Sequence, residues 1–444
     1  MKGEISLKLQ EDFEKSFFKE RANIIAMNSA TSVGIVKASK NPTVHSKDNH
    51  SFSISLKQGK ITNQKRSGRC WMFSALNMIR YEFIKKYNLE NFEFSQAYTL
   101  FFDKLEKSNY FLESILKTLD EKTEDRLISH LLKAPLNDGG QWDMFVNLIK
   151  KYGIVPKEVY PETANSSDTG ALEEYMTKKL REYAKDLRAC YKNGKDLKSL
   201  EKMKKEMMEK IYHILVISLG KPPKKFDFGM RDKDDKFTGE RNIKPLEFYK
   251  KYVGTDLDEY ISIINAPTED KPMNQTYTVE FLGNVVEGRE VKYLNLSIEE
   301  MKKYAIKQLE DEKPVWFGCD VGQFYLRDEG LLTIDGLEVN KLFNTEFNMT
   351  KGERLDYGES LMTHAMVFMG VDLDEKKEPL KWRVENSWGK DIGNEGYFLM
   401  DDEWFNQFMY QVVINKKYLP EKLLKLWEKK PKVLKPWDPM GSLA

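Results

Sequence analysis

Three residues far apart in this chain are of types that suit nucleophilic catalysis. Cys70 lies in Gln64-Lys65-Arg66-Ser67-Gly68-Arg69-Cys70-Trp71-Met72-Phe73-Ser74 and heads a segment with apolar residues at helical spacing, Met72, Leu76, Ile79 and Phe83. A thiol at a helix N-terminus faces the positive end of the dipole and unpaired backbone N–H groups, which lower its pKa and favour the nucleophilic thiolate. His364, in Leu361-Met362-Thr363-His364-Ala365-Met366-Val367, stands just before an apolar run that reads as a buried strand. Asn386, in Trp382-Arg383-Val384-Glu385-Asn386-Ser387-Trp388-Gly389, follows a short alternating strand. A neutral imidazole can take the thiol proton, and an amide can hold the ring in the required tautomer. Gln64 can offer a side-chain N–H to the oxyanion of a tetrahedral intermediate, beside the backbone N–H of Cys70.

Each residue has a plainer reading when taken singly. A lone cysteine heading a helix is a small buried hydrophobe, a lone histidine a satisfied core residue, and a lone asparagine a turn residue. The four in this order outweigh those readings. Trp388 is a packing residue either way and is expected to shield a His364–Asn386 hydrogen bond from water.

The order Gln, Cys, His, Asn-Ser-Trp resembles the papain-like cysteine peptidases. Two departures narrow the resemblance. Ser67 stands where the first, disulfide-forming cysteine of the secreted papain-type signature would be, and Arg69 occupies its small-residue position. His364 also lies about 290 residues after Cys70, against roughly 130–150 in that pattern, so a large segment is inserted. Both departures fit the bleomycin hydrolase and aminopeptidase C family, which the chain resembles nearly end to end. The segments at 67–73, 139–143 (Gly-Gly-Gln-Trp-Asp), 314–320 (Pro-Val-Trp-Phe-Gly-Cys-Asp), 363–366 and 384–389 carry the likeness, as does the ending Trp437-Asp438-Pro439-Met440-Gly441-Ser442-Leu443-Ala444.

The elements that must position these residues can be read coarsely. The fold class is α+β, with a helical lobe and a β-barrel lobe as the resemblance implies. Residues 1–62 read as an N-terminal arm with one helix at 5–23. Residues 63–164 read as the helical lobe carrying the nucleophile, with further helices at 94–107, 111–132 and 143–152. Residues 165–275 read as a mainly helical insertion, with long charged helices at 172–192 and 197–219. Their Lys/Glu pattern suits solvated faces, while the stripe of Met203, Met207, Ile211 and Leu215 needs a partner, either the core or another subunit. Residues 276–430 read as the barrel lobe, with strands at 277–282, 315–321, 365–371, 381–386 and 396–400 and a helix at 298–312. Residues 431–444 form a tail that its prolines bar from continuing a helix.

Composition narrows the class. Lys and Arg number 71 and Asp and Glu 70, a net charge of +1, which gives no general attraction to nucleic acid, anionic membrane or acidic substrates. Cys70, Cys190 and Cys319 are too far apart in sequence to read as a disulfide framework, a CxxC site or a zinc site. No HExxH motif occurs, and no metal or cofactor is expected. The N-terminal stretch lacks an apolar signal-peptide core and no run approaches membrane-spanning length, so a cytoplasmic enzyme with no membrane partner is expected. The cluster Lys57, Lys60, Lys65, Arg66 and Arg69 suggests a nucleic-acid-binding regulator as the alternative, but no reader motif accompanies it. Arg66 and Arg69 are expected to buttress the cleft or pair with carboxylates.

The resemblance implies more than the residues alone do. It implies a cysteine aminopeptidase acting on peptides, or a hydrolase of bleomycin-type amides using the same site, with Cys70 as nucleophile, His364 as proton carrier, Asn386 as its orienter and Gln64 in the oxyanion site. Gly139 and Gly140 are then expected to line the cleft, where a backbone without Cβ can pair with a substrate strand. The tail is expected to enter the cleft, with the α-carboxylate of Ala444 meeting the substrate's α-ammonium. A homohexamer is also implied.

Overall fold

A computed structural model describes residues 3–47, 49–57 and 59–444; Met1 and Lys2, part of the N-terminal stretch read above, lie outside them. The helical lobe is built round the helix Cys70–Lys86, in which thirteen side chains are buried. It packs against Gln96–Lys117 and Trp142–Tyr152. The helices expected at 94–107 and 111–132 divide differently, since Gln96–Lys117 runs without a break through 108–110. It stops at Thr118, and Arg126–Lys133 forms separately after Asp125. Ser95 caps its start by accepting from Tyr98 N.

The insertion contains Gly170–Lys192 and Leu197–Leu219, followed by a hairpin of Phe226–Arg231 and Phe237–Ile243. Met207, Ile211 and Leu215 are buried within the chain's own core, and Met203 packs against it. The stripe is therefore covered by the helices Gln96–Lys117 and Gly170–Lys192, not left for a second subunit. Unburied apolar surface lies at Leu197, Ile217 and Phe237 of the insertion and, in greater density, on the N-terminal arm. Its helices Leu7–Lys19 and Arg21–Val33 bury no residue, and Leu7, Phe13, Phe18 and Ile25 are exposed.

The barrel lobe is one twelve-stranded sheet. Its order is Lys432–Leu434, Gln275–Val279, Tyr293–Asn295, Tyr260–Ile264, Met409–Asn415, Val315–Cys319, His364–Leu373, Pro379–Glu385, Tyr397–Asp401, Leu331–Leu332, Tyr325–Leu326, with Ile54–Ser55 added beside His364–Leu373. The helix Ile298–Glu310 fills its interior with Met301, Tyr304, Ala305 and Leu309. Tyr260–Ile264 belongs to this sheet, so the expected lobe boundary at 275/276 falls inside it. All five of its residues are buried, and such a strand shows no alternation by which to read it. Likewise Ile54–Ser55 draws the supposed N-terminal arm into the barrel lobe.

Candidate active site

Arg69 fixes the approach to the nucleophile. Its guanidinium is fully buried, binds both oxygens of Glu162 at 3.0 and 2.9 Å, and donates through Nε to Ser67 Oγ at 2.8 Å. The Arg69 carbonyl accepts from Met72 N and Phe73 N, which starts the helix with Cys70 as its first residue. Gly68 N donates to Asp138 Oδ2 at 2.8 Å, and Trp71 Nε1 donates to the Asp138 carbonyl at 2.7 Å. One turn after Cys70, Ser74 Oγ donates across the lobes to the carbonyl of Ala365 at 2.9 Å. Trp316 Nε1 donates to the Trp71 carbonyl at 3.0 Å. These two bonds bring the end of the His364 strand over the start of the Cys70 helix.

His364 is the first residue of its strand, paired in register with Cys319. Its Nε2 lies 2.9 Å from Asn386 Oδ1. That oxygen also accepts from Ser387 N at 2.7 Å, so it is the acceptor and Nε2 carries the proton. Nδ1 of the neutral ring is then the unprotonated nitrogen. The Trp388 ring lies 4.8 Å from that of His364, beside the His–Asn hydrogen bond.

Gln64 and Ser387 hook the two loops together. Gln64 N donates to the Ser387 carbonyl at 2.8 Å, and Ser387 Oγ donates to Gln64 Oε1 at 2.6 Å. Gln64 Nε2 donates to the Ser67 carbonyl at 2.6 Å. A carbonyl can only accept, so this contact fixes which end of the amide carries nitrogen and leaves a second N–H on Nε2. Sequence reasoning missed the role of Ser387; its place between Asn386 and Trp388 was the only signal.

Burial dominates the protonation of the pair. It pushes the Cys70 thiol up to about 11, against hydrogen bonding from the backbone of Ala365 and Trp71, and the Asp138 charge adds to the rise. It pushes the His364 imidazolium down to about 4, opposed by the Asn386 hydrogen bond. Taken separately each group is neutral, and the depressed thiol pKa expected from the helix terminus does not prevail. A thiolate at such a buried position would need a cation beside it, because opposite charges stabilise one another in a dry site.

Gly139 and Gly140 meet the tail directly. Gly140 N donates to the main-chain oxygen of Ala444 at 3.0 Å, and Ala444 N donates to the Gly140 carbonyl at 3.3 Å. A Cβ on Gly139 would lie 2.7 Å from Leu443 Cβ, and one on Gly140 2.4 Å from the Trp71 ring. The Gly139 carbonyl accepts from Lys107 Nζ at 2.6 Å; that buried ammonium also reaches Asn137 O and Asp103. Several contacts tether the tail. Lys432–Leu434 pairs with Gln275–Val279, Arg126 stacks on Trp437 at 4.0 Å, Asp438 pairs with Lys271 at 3.0 Å, and Gln141 Nε2 and Ser442 Oγ hold its last turn. Gln64, Cys70, Gly139, His364, Trp388 and Ala444 all line one cleft of about 570 Å³. All seven of the residues proposed from the sequence are thus brought to one place. Of the basic cluster, Arg69 is buried on Glu162, and Arg66 pairs with Asp168 at 3.4 Å at the surface. Among the described residues no helix is long and apolar enough to cross a membrane.

Comparison with known proteins agrees with this geometry. The Peptidase C1-like family matches residues 4–441. The chain is 50% identical over 431 residues to the aminopeptidase C of Lactococcus lactis subsp. lactis, covering 96% of this chain and 97% of that one. It is 43% identical to the bleomycin hydrolase of Mus musculus, covering 86% of each. The crystal structure of PepW from Lactobacillus rhamnosis HN001 superposes over the full length of both chains, with a TM-score of 0.98 at 49% identity. The chain belongs to the Peptidase C1-like family and has the papain-like fold of its cysteine peptidases.

Proposed function

We propose that this chain is a papain-like cysteine aminopeptidase that removes N-terminal residues from peptides. Cys70 Sγ attacks the first peptide carbonyl as its proton passes to His364 Nδ1, and His364 then protonates the leaving amine. Water, deprotonated by the same imidazole, releases the acyl group. Asn386 keeps the ring in the tautomer that leaves Nδ1 free. The free N–H of Gln64 Nε2 and the backbone N–H of Cys70 receive the oxyanion.

The observation that carries the exopeptidase reading is the pairing of Ala444 with Gly140. It fills the backbone slot that an extended peptide would need to reach beyond its first residue. The α-carboxylate of Ala444 would then meet the substrate's α-ammonium. A comparison of free-amine and N-acetylated peptides as substrates tests this, since an endopeptidase would not prefer the free amine. Amide hydrolysis of the bleomycin type at the same site is supported by the 43% identity to the mouse enzyme of that name. The exposed apolar arm at residues 5–36 supports self-association, for which we keep the homohexamer as the state to test by light scattering. A nucleophilic thiol at Cys70 suits a reducing cytoplasm.

A further inference from the structure

We infer that residues 168–173, where the helical insertion begins, form the wall against which the side chain of the substrate's first residue lies. Gly170 sets its size tolerance and Glu173 its preference for long cationic side chains. The inference rests on the aminopeptidase reading above.

Asp168, Thr169, Gly170 and Glu173 line the same cleft as Cys70 and His364. Leu443 and Ala444 close that cleft along Gly139, and Thr363, His364 and Trp388 form its other side, where the leaving amine must receive its proton. The first residue of a bound peptide therefore has its side chain directed at the remaining wall. That wall is rigid. Arg66 N donates to the Ser167 carbonyl at 3.0 Å, Thr169 N donates to the Arg66 carbonyl at 3.3 Å, and Thr169 Oγ1 binds Asp138. The insertion is thus stitched to the strand of chain that carries Gln64 and Cys70.

Its charge is unbalanced. Lys104 is fully buried and has two carboxylates, Asp138 at 2.7 Å and Glu173 beside it. Asp168 is matched by Arg66 at 3.4 Å. One negative charge is left over, and Glu173, a quarter exposed, is the member that reaches the cleft; burial and the neighbouring Asp138 carboxyl raise its pKa, and a cationic side chain in the cleft would draw it back to the ionised form. Size is unconstrained at Gly170. A Cβ there would meet nothing nearer than Asp168 Oδ1 at 3.6 Å, so the glycine leaves open room. A long aliphatic stem ending in a cation fits that room and charge.

The test uses the full-length enzyme and aminoacyl-coumarin amides of Arg, Met and Ala. Arg and Met are both long and unbranched near the backbone, and Met lacks the charge, so the ratio is read as its change from wild type to variant. In Glu173→Gln the ratio of kcat/KM for Arg over Met should fall about two- to fivefold, the range for one partly exposed ion pair. In Gly170→Leu both long side chains should lose against Ala, through KM more than kcat. Glu173 also supports Lys104, so if Glu173→Gln fails to fold, Gly170→Leu decides alone, since its position is exposed and roomy. An unchanged Arg/Met ratio in folded Glu173→Gln overturns the charge assignment, and unchanged size discrimination in Gly170→Leu overturns the wall. Failure of the wild-type enzyme to cleave any free-amine substrate would overturn the aminopeptidase reading itself, a distinguishable result.

Discussion

The backbones of Ala444 and Gly140 bind each other in both directions, N–H to main-chain oxygen, at 3.3 and 3.0 Å. Two such bonds are how one strand adds to another. Ala444 is thus held beside Gly140 in the cleft that Cys70 and His364 also line.

Removing residues 441–444 should abolish the preference for free amines and admit N-acetylated and longer peptides. A partly desolvated ion pair supports positioning by a few kcal/mol, so kcat/KM for free-amine substrates should fall by about one to two orders of magnitude. Gly139→Ala gives an independent route to the same phenotype, because its Cβ would collide with Leu443 while leaving Cys70 and His364 untouched. Kinetics on paired free and acetylated substrates check both variants. Retention of the free-amine preference in the truncated enzyme would rule out the carboxylate as anchor.

The competent form of the catalytic pair holds one proton, on sulfur or on nitrogen. Burial places its acid edge near 4 and its basic edge near 11. The acid limb of kcat/KM should therefore lie well below the usual histidine value of about 6.5. The basic limb should follow the substrate's α-amine, about 8, and move with substrates of different amine pKa. Asn386→Ala removes the bond that raises the imidazole, so the acid limb should move lower still and the rate should fall. A pH–rate profile with an acid limb at the ordinary histidine value would contradict this account. Cys70→Ala and His364→Ala should both be nearly inactive, and iodoacetamide should label Cys70 ahead of the fully buried Cys319.

Gln64→Ala should lower kcat by about 10²–10³, as for one lost oxyanion donor. Ser387→Ala leaves the amide in place but frees it to rotate, and should cost about tenfold, near one hydrogen bond. Steady-state kcat on one good substrate separates the two. Equal rates for Gln64→Ala and wild type would remove Gln64 from the oxyanion site.

Glu162→Ala leaves the Arg69 guanidinium buried without its carboxylate partner. Glu162 is itself about one-fifth exposed, so a loss near the lower end of the usual range, about 3 kcal/mol, is expected. Thermal or urea unfolding would measure it, and activity should fall with stability because Arg69 opens the nucleophile helix. A variant as stable as the wild type would show that water replaces the carboxylate.

Much of the site was legible because nucleophile, base and orienter each sit at an element end with its own signature. Cys70 opens a helix with helical spacing behind it, and His364 and Asn386 bracket strands. The helix expected at 197–219 spans Leu197–Leu219, with Asp196 as its N-cap and Gly220 as its C-cap. What sequence could not supply was partnership at a distance. Nothing local says that Arg69 seeks Glu162, that Ser387 seeks Gln64, or that the stripe on Leu197–Leu219 faces the chain's own core. The strands Tyr260–Ile264 and Met409–Asn415 were missed because burial on both faces erases the alternation that marks a strand.

The sheet joins Ile54–Ser55 to the strand that starts at His364, and its central strand, Val315–Cys319, lies between that strand and Met409–Asn415. Contacts of such long range form late and slowly. During synthesis the thiol of Cys70 emerges some three hundred residues before its base and orienter, at several residues per second. Through that interval the nascent chain carries an ordinary thiol without its base, and no complete catalytic site.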